Sequence, residues 1–547
     1  MRFMEQDTTD NNATVDDRPR PGDFKAMSYW AATWWFWSVV VFFAVLWVVL
    51  PTVFQPAYRP DVIELQLIGK EWVLATRKHP MLPAWFLESV NHLTNRTFAA
   101  PFLASQLCIL LALWSVWTFG RKVLSERLAL IGTFAMMPYW FFTVESAKFN
   151  QNIPLIAFWS LTVLLVYRAF QTNRFLFWAG AGLTLGLAFH SKYSAIFLVF
   201  AILSCMVFHP KWRKLWKSPG PYMTTLIAFL VFLPHIIWMY QDGFTTLAYA
   251  QSRQVFATGF LGRLTHPLTF LLCEAVYLVL PILILIPILG WRWKRKQHRK
   301  NPAEKDGEQY LFHCIGVPLG LHLLISGAAN TALLADYGAA FWPFFGIFLL
   351  LRFQTDDRPA TYFRSFRGVL LAELLMICIF LGQTILSPYL TGTTRRFHFP
   401  MRSLGAECDR IWSSRFPKPC PYLSGDWWLA GNAAYSMEDR PSVHFYYGDI
   451  NDPQVKSTGT WSQDSEVNEH GGILLWQLSV GKNTQDETVI PQVPKFVALR
   501  FPRAEVLSET LTLPYQTGAN VPPLKIGVAV IPPNNNETGG DGWVGDR

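Results

Sequence analysis

Several features that would point to familiar chemistry are missing from this sequence. No CxxC pair and no His/Cys ligand spacing occurs, which excludes a structural zinc site of the usual kind. No glycine-rich nucleotide-binding fingerprint occurs either. There is no internal repeat and no pair of matching Gly/Pro-interrupted spans in the two halves, which weighs against a secondary transporter. A secretory signal is also missing. Residues 1–27 form an acidic leader rich in Asp, Asn, Pro and Arg without aliphatic periodicity, and a full-length apolar span follows, so this stretch is expected to be a disordered cytoplasmic tail. Cysteine is sparse, with 7 in 547 residues. Cys108, Cys205, Cys273, Cys314 and Cys378 fall within apolar spans and read as small hydrophobes. Cys408 and Cys420 fall outside them, close in sequence, and are expected to pair as a disulfide.

What the chain has in quantity is apolar length. With 51% hydrophobic and 16% aromatic residues it is too apolar for one soluble fold. The stretch Tyr29 to Pro51 is long enough to cross a hydrocarbon core of about 30 Å, and comparable windows recur near 102–119, 128–144, 153–169, 175–189, 194–208, 222–239, 267–291, 311–329, 337–352 and 368–388. Length and hydropathy thus predict about 11 transmembrane helices.

The net charge of +9 does not indicate nucleic acid, because the basic residues cluster beside span ends. Loops holding Arg121, Lys122 and Arg127, Lys211 to Lys217, Arg292 to Lys300, and Arg352 to Arg367 alternate with loops poorer in Lys and Arg. The positive-inside bias therefore predicts a cytoplasmic N-terminus, with the 52–100 loop and the C-terminal region on the outer, periplasmic face of a plasma membrane.

Three segments follow: the 1–27 tail, a 28–390 membrane domain, and a 391–547 soluble domain. In the last, Ser442 to Tyr447, Gly472 to Trp476, Lys495 to Arg500 and Lys525 to Ile531 are predicted strands, giving a small mixed α/β or mainly β unit with a loose Asn- and Gly-rich end. Within the first outer loop, Asp61 to Ala75 and Leu82 to Leu93 are predicted helices lying at the membrane interface.

The chemistry-bearing residues fall on one side of this topology. Asp61 and Glu64 stand three apart, so a helix would present both carboxylates from one face. Lys78 and His79 follow in the same loop. Glu145, Lys148, Asn150 and Asn152 lie between the third and fourth windows, His190, Lys192 and Tyr193 between the fifth and sixth, and Asp336 and Tyr337 between the ninth and tenth. Polar residues reaching a membrane from one face, in short loops, converge on one cavity.

Carboxylates beside cations and amides at that depth suit transfer of a group from a lipid-phosphate carrier. A carboxylate takes the proton of the attacking hydroxyl, and Lys or protonated His stabilises the departing phosphate. Asn150 and Asn152 also fit simple capping of the next helix, and Lys78 and Lys192 fit headgroup contact or snorkelling.

Taken together, Asp61-x-x-Glu64, Lys78-His79-Pro80-x-Leu82-Pro83-x-Trp85, Phe149-Asn-Gln-Asn152 and Gly182-Leu-Thr-Leu-Gly-Leu-Ala-Phe-His-Ser-Lys192-Tyr193 resemble the bacterial family 39 glycosyltransferases. These are GT-C fold enzymes related to protein O-mannosyltransferases and to the aminoarabinose and galacturonic acid transferases of lipid A. Asp426-Trp-Trp-Leu-Ala-Gly-Asn432, Asp439-Arg-Pro-Ser-Val443 and Gly471-Gly-Ile-Leu-Leu-Trp476 extend the resemblance over about 55–531.

The resemblance implies an integral membrane transferase that moves a sugar from a polyprenyl-phosphate donor to an outer-face lipid or glycolipid acceptor, such as lipid A or lipopolysaccharide. Asp61 would be its catalytic carboxylate and Glu64 a candidate partner. Lys78, His79, Lys148, Asn150, Asn152, Lys192 and Tyr193 are the candidate substrate-binding residues. Three departures stand out: Val62 follows Asp61 where many members have Glu, His79-Pro80-Met81-Leu82 replaces His-Pro-Pro-Leu, and Tyr337-Gly-Ala-Ala340 replaces Trp-Gly-x-Pro. Two carboxylates are too few ligands to select a divalent cation, and that option stays open. Competing expectations are a flippase or transporter for a lipid-linked sugar, and a non-catalytic envelope subunit.

Overall fold

The computed structural model describes residues 28–246, 249, 255–256, 260–291, 293–296, 301–356, 358–445, 462–478, 494–517 and 519–534. The 1–27 tail and the Asn- and Gly-rich end beyond Asn534 lie outside the described residues.

The first half comprises α1 (Tyr29–Phe54), α2 (Pro60–Lys70), α3 (Leu82–Leu93), α4 (Ala100–Val123), α5 (Glu126–Phe134), α6 (Asn152–Thr172), α7 (Phe175–Ser191), α8 (Ile196–Phe208) and α9 (Gly220–Gln241). Then come α10 (Phe260–Leu289), α11 (Pro302–Ala329), α12 (Phe345–Arg352) and α13 (Pro359–Leu381), the last running on through a π-turn at Gly382–Leu386 to Thr391. Local chemistry sets many of these ends. Ser28 Oγ accepts from the Ala31 amide at 3.2 Å, and Asn301 Oδ1 accepts from the Glu304 amide at 2.8 Å with Pro302 opening the helix. Asn173 and Asn330 close α6 and α11 in the left-handed conformation that Asn tolerates.

Among the described residues, seven helices are long and apolar enough to cross a membrane: α1, α4, α6, α9, α10, α11 and α13. The other four predicted windows form shorter pieces. The 128–144 window breaks after α5 into 3₁₀ turns at Trp140–Phe142 and Val144–Ala147, because Pro138 offers no amide donor and biases its predecessor away from helix. In the 337–352 window Pro343 delays helix until α12. The remaining two windows are α7 and α8, apolar but only 17 and 13 residues long.

One correction falls near the first loop. The helix predicted to run to Ala75 ends at Lys70, and Trp72, within the predicted span, has φ 47° and lies beyond it. α3 has the predicted bounds; it buries Pro83, Ala84, Leu87, Glu88, Val90 and Asn91 against the protein and leaves Leu93 exposed. α2 and α3 touch closely, since a side chain on Gly69 would meet the Ala84 carbonyl at 2.7 Å.

The C-terminal region has α14 (Met401–Ser413), α15 (Trp427–Ser436), α16 (Asp464–His470) and α17 (Lys495–Arg500) around a six-stranded sheet. After a two-stranded ribbon of β1 (Val255–Phe256) and β2 (Thr331–Ala332), its strands are β3 (Tyr422–Gly425), β4 (Ser442–His444), β5 (Gly472–Gln477), β6 (Glu505–Val506), β7 (Leu511–Leu513) and β8 (Leu524–Ile531). The order is β4-β3-β5-β8-β6, with β7 also paired to β8; β3 is parallel to β4 and β5, while β8 is antiparallel to its partners. The sheet is therefore mixed.

Lys495 to Arg500, predicted as a strand, is helix α17. Val497 within it and Phe501 at its C-cap, four apart, are buried, a spacing that suits a helical turn. The predicted strand at Ser442 ends at His444, and Tyr446 and Tyr447 lie outside the described residues. Cys408 and Cys420, expected to be disulfide-bonded, are free thiols. Both are buried in the core, where desolvation raises their pKa and suppresses the reactive thiolate, and Cys420 Sγ donates to the Tyr422 carbonyl at 3.4 Å.

Candidate active site

α2 begins at Pro60, whose missing amide costs nothing in a first turn, and Asp61 follows at the helix N-terminus, where negative charge is favoured. From that position Asp61 Oδ2 lies 3.1 Å from Lys148 Nζ and accepts from Asn150 Nδ2 at 3.5 Å. Lys148 also stands 3.1 Å from Glu145 Oε1, and Glu145 Oε2 stands 3.4 Å from Arg59 Nη1. Burial works against the charge on Lys148, but Glu145 and Asp61 outweigh it and hold its pKa above the ordinary lysine value. For Glu145 burial prevails over Lys148 and Arg59, and the pKa of its carboxyl is raised.

The second carboxylate of α2 has its own cation. Lys78 Nζ is 2.6 Å from Glu64 Oε2, and although burial opposes it, the charge of Glu64 raises the lysine's pKa. Asp61 and Glu64 thus share one side of the helix, as their spacing requires, and each meets a lysine from another segment. His79 is placed through its backbone: its amide donates to Thr76 Oγ1 at 3.4 Å and its carbonyl accepts from the Thr76 amide at 3.5 Å.

The start of α6 completes the cluster. Asn150 Oδ1 accepts from the Asn152 amide at 3.0 Å, so Asn150 both caps the helix and reaches Asp61. Asn152 Oδ1 accepts from Lys192 Nζ at 2.7 Å, and that ammonium sits 4.7 Å from the Tyr337 ring centroid. Lys192 keeps part of its surface accessible yet lies deep among protein atoms. That desolvation lowers its pKa to about 8, against the opposing pull of Asp336 and Asp61.

Asp336, in the 3₁₀ turn Ala335–Gly338, acts electrostatically on both Lys148 and Lys192. Glu274 of α10 underlies that turn: it accepts from Trp342 Nε1 at 2.6 Å, and a side chain on Gly338 would clash with its carboxylate. Glu373, the other carboxylate within a span, accepts from Trp47 Nε1 at 3.1 Å.

The structure thus brings together Asp61, Lys148, Asn150, Asn152 and Lys192, with the Glu64–Lys78 pair on the same side of α2. Tyr193 is directed elsewhere; its hydroxyl is 2.7 Å from His235 Nε2 on α9. Glu145 was grouped with the converging polar loops but given no role, and Arg59 was not picked out as a candidate site residue. The available signal was a basic residue directly before the Asp61 helix, on a face poor in cations. Arg59 also lies 5.4 Å from the Phe397 ring centroid, which carries the cluster to the edge of the C-terminal region.

Among the described residues no group of three or more His, Cys, Asp or Glu could hold a metal ion. Asp61 and Glu64, the two residues considered for a divalent cation, face lysines instead, so this donor set does not fit one.

Residues 78–238 match the family model for dolichyl-phosphate-mannose-protein mannosyltransferase. The crystal structure of ArnT from Cupriavidus metallidurans bound to undecaprenyl phosphate superposes with a TM-score of 0.58 at 12% identity, covering 92% of this chain and 98% of that one. The apo structure of the same protein gives a TM-score of 0.54 at 13% identity, over 92% and 98% of the two chains. No curated protein matches the sequence. The chain is a multi-pass membrane protein with the GT-C glycosyltransferase fold that the motifs of family 39 suggested.

Proposed function

We propose that this protein is a glycosyltransferase that moves a sugar from a polyprenyl-phosphate carrier to a hydroxyl of a lipid or glycolipid acceptor. Its site would lie at the periplasmic face of the plasma membrane, with lipid A or another envelope glycolipid as the favoured acceptor class. The carrying observation is Asp61 held between Lys148 and Asn150, with Lys192 joined to the same helix start through Asn152. A base, cations and amides stand together at one end of apolar helices.

In this reading the acceptor oxygen attacks the anomeric carbon as the bond from that carbon to the phosphate oxygen breaks. The bonding pair leaves with the polyprenyl phosphate, and the acceptor's proton passes to the Asp61 carboxylate. Attack opposite the leaving group inverts the anomeric centre. Before substrate arrives, Lys78 and Lys148 are satisfied by carboxylates and Lys192 by the Asn152 amide oxygen. An entering phosphate competes for Lys78, Lys148 and Lys192, which draws charge toward the leaving group and frees Asp61 to accept the proton. The ArnT structure with undecaprenyl phosphate supports the carrier class by analogy of fold.

The test is mass spectrometry of envelope glycolipids from a strain lacking the protein. One sugar-sized mass increment should disappear and return on complementation; an unchanged profile would count against a transferase acting on these acceptors.

A further inference from the structure

Asp61 and Glu64 ride on an eleven-residue helix too short to hold its own geometry. The C-terminal region grips this helix at several points. Near its start, Tyr58 Oη donates to the Phe98 carbonyl at 3.1 Å and lies 3.3 Å from Tyr435 Oη of α15. Midway, Gly431 of α15 sits so close that a side chain there would meet Ile63 at 2.6 Å and Leu67 at 3.0 Å. At the far end, Lys70 Nζ donates to Ser442 Oγ at 3.1 Å, and Ser442 donates to Glu71 at 2.7 Å.

The strongest of these contacts is buried and charged. Arg440, in the turn after α15 with φ 47°, donates from Nη1 to Glu88 Oε1 at 2.6 Å and from Nη2 to Glu88 Oε2 at 2.9 Å. Nη2 also donates to the Gln66 carbonyl at 2.9 Å and to Gln66 Oε1 at 3.3 Å. Asn91 donates to Glu88 Oε2 at 2.9 Å and to Gln66 Oε1, which closes the network. The side chains of Arg440 and Glu88 are only 6% and 2% exposed. The pocket beside Arg440 has about 10 Å³, room for one water.

A buried ion pair of this kind adds little stability over a hydrophobic replacement, and its best-attested use is to fix register. Gln66 is two residues from Glu64, and the guanidinium fork holds α2 and α3 to the same turn of the C-terminal region. We propose that Arg440 is a positioning residue: it sets the rotation and axial register of α2, and through α2 the places of Asp61 and Glu64. Its effect on catalysis rests on the transferase reading; the clamp itself does not.

The test uses the full chain in lipid nanodiscs with Arg440→Gln, Arg440→Lys and Glu88→Gln. Hydrogen exchange of the α2 amides should accelerate at least about tenfold in Arg440→Gln and Glu88→Gln, with α4 and α6 unchanged. Product in a complemented deletion strain, at matched membrane abundance, should fall about 10- to 100-fold, because a shift of about 1 Å in a reacting group costs this much. Arg440→Lys keeps the charge and one arm of the fork, and should recover part of both.

Unchanged α2 exchange, equal acceleration throughout the bundle, or a loosened α2 with product within about twofold of wild type would each overturn the proposal. If Arg440→Gln does not fold, Glu88→Gln carries the same test. An unchanged glycolipid profile on deleting the protein counts against the transferase reading, and it is seen before any variant is made.

Discussion

The two ends of α6 carry two ion clusters built from similar residues but differently enclosed. At its first residue, Asn152 joins Lys192 and the Asp61 cluster; at its end, Gln171 Nε2 donates to Asp306 Oδ2 at 3.4 Å. Nineteen residues of helix separate them, about 30 Å, the thickness of a hydrocarbon core. The clusters therefore lie about a membrane's thickness apart along one helix.

Asp306 pairs with Lys211 at 2.7 Å and Glu308 with Arg352 at 2.6 Å, around a cavity of 940 Å³ that also has Phe208, Phe312 and Phe348 in its wall. There the Lys211 side chain is 57% exposed and its partner Asp306 10%, whereas at the other end Lys148 is 22% and Asp61 31% exposed, so it is the cation that is enclosed at the Asp61 end and the carboxylate at the Asp306 end. Exposed cations contribute little and are screened, while enclosed ones hold fixed charge where a reaction can use it. The same ion-pair vocabulary thus anchors one end and equips the other.

Substitutions can break this contrast. The largest effect is expected for Asp61→Asn, with product falling about 10² to 10⁴-fold as the base is lost. Next is Lys148→Met, which leaves Asp61 and Glu145 without their shared cation; glycolipid mass spectrometry should show a loss of about 10- to 100-fold, partly restored by Lys148→Arg.

A smaller effect follows from pH. Lys192, with its pKa lowered to about 8, is charged below that pH and neutral above it. Affinity for the proposed polyprenyl-phosphate carrier should therefore weaken about five- to tenfold between pH 7 and 9, and Lys192→Arg should flatten this dependence because a guanidinium stays charged. The smallest effect is expected for Asp306→Asn, a helix length away from the Asp61 cluster, with product per folded chain within about threefold of wild type.

How much was legible in the sequence follows the range of the interactions. Apolar windows announced the long spans, helical spacing announced α2, and the i, i+3 spacing placed Asp61 and Glu64 together. Hydropathy does not count amide donors, so the breaks after α5 and before α12 were hidden behind apolar residues around Pro138 and Pro343. The end of α2 at Lys70 was obscured because Trp72 continued the apolar period while its backbone left the helix. Short apolar runs do not separate strand from helix, which is why α17 was read as a strand. The polar loops were grouped by topology alone, and that grouping joined Lys148, Asn150 and Lys192 to Asp61 but gave no sign that the Tyr193 hydroxyl meets His235. The Arg440–Glu88 pair joins residues 352 apart in sequence, and no local pattern marks it.

The most direct test puts Asp61→Asn and Asp306→Asn side by side in the same deletion strain, measuring product by mass spectrometry at matched membrane abundance. The expected result is a loss of two or more orders of magnitude for Asp61→Asn against no more than about threefold for Asp306→Asn. Equal effects, or an Asp61→Asn protein that retains wild-type product, would contradict the assignment of the chemistry to the Asp61 end.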